Sequence, residues 1–263
     1  MHDMWVFLKK NVQCASKVTD VVSWPGRSYS AKKGNLDCEL VVHSSATPLR
    51  EMIFRQSYTR TLLCGLNTGD PSRNIVEMIF QRASMNPSKP LRKIKTVLKV
   101  KNSAENVETF EKYREKVKKK AYEQYKRHPR STVDGNELLR FYGTTIVCCR
   151  GKSNRVSELC KNPTCGVCRI IQSNFDTYYT RRNGVQLSTS SEDLIENMIV
   201  TTGEEKVKRA AIVCRTIAGS TVNMVDGGYQ DFDSVGSSQF SNLERLVVLS
   251  PNAVLPCFVI VFD

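Results

Sequence analysis

The sequence predicts an α+β fold built from split antiparallel β-sheets with flanking helices. Three observations carry this expectation. Between residues 70 and 125 of the 263-residue chain, two stretches with apolar residues at helical spacing bracket one short alternating stretch. After Asp134-Gly135 the texture changes to β-branched and apolar runs separated by turn-forming residues. No internal repeat or low-complexity tract occurs, and the helices precede most of the strands, an order that favours α+β over alternating βαβ units.

Residues 1–70 read as a poorly ordered N-terminal extension, with an apolar patch at Trp5–Leu8 and breaks at Trp24-Pro25-Gly26 and Ser44–Pro48. Residues 71–263 read as one domain. Asp70-Pro71-Ser72 opens its first helix, with Ser72 as N-cap, Ile75 and Ile79 on an apolar face, and Asn86-Pro87 as the stop. Ile94, Thr96, Leu98 and Val100 alternate with lysines, the pattern of a half-buried strand. Asn102 and Glu105 are spaced as a capping pair. Val107, Phe110, Tyr113, Val117 and Ala121 then recur at helical spacing until His128-Pro129. Further on, strands are expected at Phe141–Cys149, Val185–Ser188, Ala210–Ile217, Leu246–Leu249 and Pro256–Phe262, with helices at Ile170–Tyr179 and Glu192–Val200.

Net charge is +13, and the Lys89–Arg130 segment holds fifteen Lys/Arg against five Asp/Glu, a net +10. Such a stripe meets phosphate or acidic partners, or is a solvated helix face. No apolar run reaches about 18 residues, so no membrane span is expected. The N-terminal apolar segment is too short for a secretory signal, and a nuclear or cytoplasmic location is expected. Lys116–Lys120 is basic enough for nuclear import but also fits a helix surface. In a reducing compartment the ten cysteines are expected as thiols or metal ligands. Cys160, Cys165 and Cys168 fall within nine residues, and Cys148 lies just upstream. A structural zinc site of four thiolates is one reading of this spacing, with Pro163 and Gly166 giving the turn. Reduced thiols packed around a loop is the other.

Five segments resemble the catalytic domain of the PARP-type ADP-ribosyltransferases, the poly(ADP-ribose) polymerase family, across roughly residues 72–263. Ile94–Asn102 resembles its first strand, and Phe110–Lys120 its "LWxxYxxxK" helix. Arg140-Phe141-Tyr142-Gly143-Thr144 resembles its "LFHGT" strand, and Gly184–Ser188 its "GIYFA" strand. Glu244–Val261, ERLVVLSPNAVLPCFVIV, resembles its closing hairpin, with Phe232–Val235 similar to the "FDSV" just before it. Ser72–Gln81, Val133–Tyr142 and Leu159–Ile171 are similar to segments of plant PARP-like proteins of a zinc-finger group.

The resemblance implies a fold that binds NAD or nicotinamide. It places Gly143, Thr144 and Ser191 at cofactor-binding positions and aligns the family's catalytic histidine, tyrosine and glutamate with Tyr142, Gln186 and Arg245. All three differ. An anion stabilises the cation-like transition state of glycosidic cleavage, and Arg245 brings the wrong sign. Gln186 cannot stack as an aromatic ring does. Glu244 adjoins Arg245, but neighbours along a strand point to opposite faces, so it reaches the site only through a bulge or a one-residue slip. A degraded triad implies an interaction or NAD-sensing module with a protein partner. The alternatives are a mono-ADP-ribosyltransferase that uses other residues, and a nucleic-acid binder that uses Lys112–Arg130 and the cysteine knuckle.

Overall fold

The computed structural model of the protein describes residues 60–83, 92–123, 129–148, 156–191, 194, 207–223, 232–237 and 245–263. The chain divides into two units, Met1–Ser57 and Tyr58–Asp263, and the described residues belong to the second. The expectations for Trp5–Leu8, Trp24–Gly26, Ser44–Pro48 and Asn86-Pro87 lie outside them, as do His128 and all of the Glu192–Val200 helix but Leu194.

Among the described residues ten strands form one sheet: β1 Leu62–Gly65, β2 Ile94–Lys101, β3 Glu137–Ile146, β4 Val156–Glu158, β5 Val185–Ser188, β6 Lys208–Ile217, β7 Thr221–Asn223, β8 Ser234–Ser237, β9 Arg245–Val248 and β10 Val254–Phe262. Their order is β4-β1-β2-β10-β6-β3-β5-β9-β8-β7. Every pair is antiparallel except β7 with β8. Among the described residues five α-helices accompany them: α1 Pro71–Arg82, α2 Ala104–Glu123, α3 Ser131–Asp134, α4 Gly166–Gln172 and α5 Tyr178–Asn183. This is a mixed α and β fold around a large, mostly antiparallel sheet.

The sheet is one ladder with a weak seam. β3 pairs with β6 along its whole length, Glu137↔Ile217 to Ile146↔Lys208. Its other edge meets β5 at a single position, Phe141↔Ser188. The edge of β3 beyond Phe141, which carries Tyr142 and Gly143, therefore runs on where pairing with β5 has ended.

Burial follows composition. β10 reads VLPCFVIVF and all nine residues are buried, as befits a central strand covered on both faces. Pro256 has no N–H for the ladder, and the register against β6 shifts between Pro256 and Phe258, so the bulge takes up the missing donor. The Pro256 carbonyl accepts from Asn102 Nδ2 at 2.7 Å. That bond occupies the side chain the sequence had placed in a cap: the residue whose hydroxyl accepts from the Asn106 N–H is Ser103. α1 likewise is capped two residues earlier than expected. Asp70 is its N-cap, its carboxylate accepting from the N–H groups of Ser72 at 2.7 Å and Arg73 at 3.3 Å, with Pro71 in the first turn. The sheet itself begins at Leu62, inside the segment expected to be an extension, because Leu63 and Cys64 are buried against β2.

α1 seats Phe80 on the sheet, edge-on to Phe141 and tilted against Phe262 at 5.0 Å. α2 seats Phe110, Val117 and Ala121. Beside Phe110 lies a buried charge network. Glu137, 1% exposed, accepts from Arg215 Nε at 2.8 Å and Nη2 at 3.1 Å, and from Arg114 Nη2 at 2.5 Å. The Arg215 and Arg114 guanidiniums sit 5.1 Å and 5.2 Å from the Phe110 ring centre, as cation–π pairs do. Burial pulls the Arg215 pKa down, but the hydrogen bonds and charge of Glu137 outweigh it and leave the group above its ordinary value. α2 is thus locked to β3 and β6 by charge as well as by apolar area.

The chain between β3 and β5 holds two short helices where one was expected over Ile170–Tyr179. Asn174 and Phe175 adopt positive φ of 48° and 63°, which ends α4 and turns the chain before Thr177 caps α5 with a capping box. No helix among the described residues is long and apolar enough to cross a membrane.

Candidate functional site

Two groups of residues carry chemistry, one on each side of the β3 end. The first is the seam between β3 and β5. β5 and β9 place Gln186 opposite Val247 and Ser188 opposite Arg245. Cross-strand partners share a face, and so do residues two apart, so Gln186 and Arg245, both exposed, lie on the same face of this half-sheet. Tyr142 is not with them. Phe141, the partner of Ser188, meets Phe80 of α1, while Tyr142 turns the other way and sets its ring edge-on to Phe175 at 5.2 Å. Burial, the larger effect, pushes the Tyr142 phenol pKa up; the nearby Arg169 pulls the other way.

Gly143 is covered by a residue the sequence had not singled out. A Cβ built on Gly143 would lie 3.3 Å from both Leu194 Cβ and the Leu194 carbonyl oxygen. Leu194 thus lies directly on the backbone that the resemblance assigns to nicotinamide. Ser191 is buried, and its N–H donates to the carbonyl of Ala83 at the end of α1. Thr144 faces α4, where its Oγ1 abuts Gly166. Glu244 lies outside the described residues.

A second unforeseen side chain is Arg140. It sits two residues from Tyr142, hence on the same face of β3. Its Nη1 donates to the Leu139 carbonyl at 2.9 Å, and its buried Nε has no partner. No carboxylate pairs with it among the described residues, and burial pulls its pKa down to about 10. A desolvated guanidinium without a counter-ion is costly unless an anion meets it.

The second group is the cysteine cluster. Cys148 follows β3, Cys160 lies in the loop after β4, and Cys165 and Cys168 stand at the N-cap and third residue of α4. Their four sulfurs lie within 4.8 Å of one another. Cys148 Sγ is 3.6 Å from Cys165 Sγ and 3.4 Å from Cys168 Sγ. Contacts with the Cys148 and Cys165 thiols, then burial, push the Cys168 thiol far up. Burial leads the upward shift of Cys160. These four cysteines are placed to hold a metal. Cys149, next to Cys148, lies outside the described residues. Cys214 and Cys257 are fully buried in the sheet, as expected for small apolar side chains, and burial lifts Cys257 to about 11. Cys64 departs from the expected thiols: it is disulfide-bonded.

Five cations of the basic stripe are engaged in ion pairs. Lys112 pairs with Glu108, Arg114 with Glu111 and Glu137, Lys118 with Glu115, Lys120 with Asp233, and Arg130 with Asp134. Lys116 and Lys119 stay exposed on α2. Residues 124–128 of the stripe lie outside the described residues.

Compared with protein-family models and with curated proteins, the chain matches none.

Proposed function

We propose that the chain is a PARP-like ADP-ribosyltransferase-fold protein whose NAD cleft serves recognition, as an NAD-sensing or protein-interaction module, and not ADP-ribosyl transfer. The observation that carries this reading is the face shared by Gln186 and Arg245. Breaking the nicotinamide bond builds positive charge on the ribose, and a fixed anion there lowers the barrier. A guanidinium on that face raises it. Tyr142, turned to Phe175, is not on that face to help.

Recognition is supported from the other side of β3. Arg140 is a cation with no carboxylate partner among the described residues, and the pyrophosphate of a dinucleotide supplies the missing charge. Backbone groups of Gly143 need no side chain to meet a carboxamide, provided Leu194 gives way. NAD is in this reading a ligand and not a cosubstrate, and the protein partner reads its presence.

The test has two arms. Purified full-length chain is incubated with labelled NAD and scored for covalent transfer to itself or to added protein; none is expected. NAD and ADP-ribose are then titrated calorimetrically into the native chain and Arg140→Met. Binding by the native chain, weakened at least tenfold in the variant, is expected. Transfer that disappears on Glu244→Ala overturns the non-catalytic reading. Absence of any nucleotide binding removes the sensing role and leaves protein interaction.

A further inference from the structure

We propose that Cys148, Cys160, Cys165 and Cys168 bind one zinc ion as a closed, structural tetrathiolate site that fastens α4 to the end of β3. The geometry comes first. Four sulfurs at about 2.3 Å from a central zinc stand about 3.8 Å apart at the corners of a tetrahedron. The observed Cys148 distances of 3.6 Å and 3.4 Å, and the 4.8 Å limit on all pairs, fit that figure with small adjustments. A disulfide would need two of these sulfurs at about 2.05 Å, and all four are free thiols.

The placement is not that of thiols scattered around a loop. The ligands come from three separate pieces of chain: the end of β3, the loop after β4, and the first turn of α4. Cys165 is the N-cap of α4 and makes no side-chain capping bond, so its sulfur is directed to the cluster and not to the helix. Cys168 stands three residues on, on the same side of the turn. Cys165 and Cys168 are buried, Cys148 and Cys160 half-buried. An all-sulfur tetrahedral set selects zinc or iron. Zinc without redox chemistry suits a site with no further ligand position. With all four positions filled by protein, no water can be activated there, so the role is structural.

What the ion would hold is visible in the packing. Val167, Ile170 and Ile171 of α4 are buried in the core, and Gly166 touches Thr144 so closely that a Cβ would come within 2.2 Å of Thr144 Oγ1. Phe175, just after α4, carries the edge contact with Tyr142. The ion therefore sets the helix that closes over the Arg140–Thr144 strand. Binding replaces four S–H bonds by four S–Zn bonds. Four protons pass to solvent, no electron moves, and acid weakens the site by returning those protons.

The full chain, purified without chelator, is assayed for metals by inductively coupled plasma mass spectrometry, and cobalt is substituted for the native ion. About one zinc per chain is expected, with the intense visible absorption of tetrahedral thiolate-bound cobalt. Cys160→His, which offers a nitrogen from the half-exposed corner, should keep the ion with an altered cobalt spectrum; Cys160→Ala should lose at least tenfold in affinity. Chelation should lower the melting temperature at neutral pH, and that difference should vanish on acidification. A folded native chain with well under one equivalent, iron in place of zinc, or Cys160→Ala with undiminished affinity overturns the proposal.

Discussion

Removing the Glu137 carboxylate tests how α2 is held to the sheet. Glu137→Ala deletes three charge-assisted hydrogen bonds, from Arg215 Nε, Arg215 Nη2 and Arg114 Nη2. It leaves the Arg215 guanidinium, whose side chain is 6% exposed, with Glu111 at 3.6 Å as its remaining carboxylate. Breaking a buried pair from one side costs about 3–5 kcal/mol, mostly the penalty of the stranded charge. Glu111 takes up part of that charge, so the lower half of the range, about 3–4 kcal/mol, is expected. At about 2–4 °C per kcal/mol for a unit of this size, the melting temperature should fall by about 6–16 °C. Urea unfolding with unchanged slope is the assay. Replacing both partners, as Glu137→Leu with Arg215→Met, should recover most of the loss, because it strands no charge. A single-variant loss below about 1 kcal/mol, or a double variant as unstable as Glu137→Ala, refutes the reasoning.

Two further substitutions probe the elements around the site. Gly166→Ala drives a methyl to 2.2 Å from Thr144 Oγ1 and 3.1 Å from the Thr145 carbonyl oxygen, and should cost about 1–3 kcal/mol. Thr144→Ala in the same chain should restore part of this, since the nearest clash is with a side chain; thermal melting of the single and double variants checks it. Asp70→Ala removes the acceptor for two N–H groups at the start of α1 and should cost about 1 kcal/mol by urea unfolding, whereas Ser72→Ala should cost little.

What was readable in the sequence was what depends on runs of side chains. β6 and β10 are buried on both faces, so continuous apolar runs announce them; β2 alternates because one face is wetter. β1, β4, β7 and β8 are three or four residues long. A window that short carries no period, and partners elsewhere in the chain decide its pairing. The caps were misplaced by one or two residues because Asp70, Ser72, Asn102 and Ser103 are all good cap residues. Tertiary partners chose among them, as when Pro256 engaged Asn102. At the candidate sites, Cys160, Cys165 and Cys168 were conspicuous by spacing alone, and β3 delivered Cys148 to them. Leu194 and Arg140 were not conspicuous. An apolar residue in a helical stretch carries no signal that it lies on Gly143, and an arginine in a basic chain carries none that it meets no carboxylate among the described residues.

The most direct measurement compares labelled-NAD transfer by the native chain and by the double variant Gln186→Tyr, Arg245→Glu, which changes the two positions that share a face, at equal folded concentration. If the cation at Arg245 is what blocks the chemistry, the native chain transfers nothing and the variant acquires transfer. Covalent ADP-ribosylation by the native chain contradicts the account.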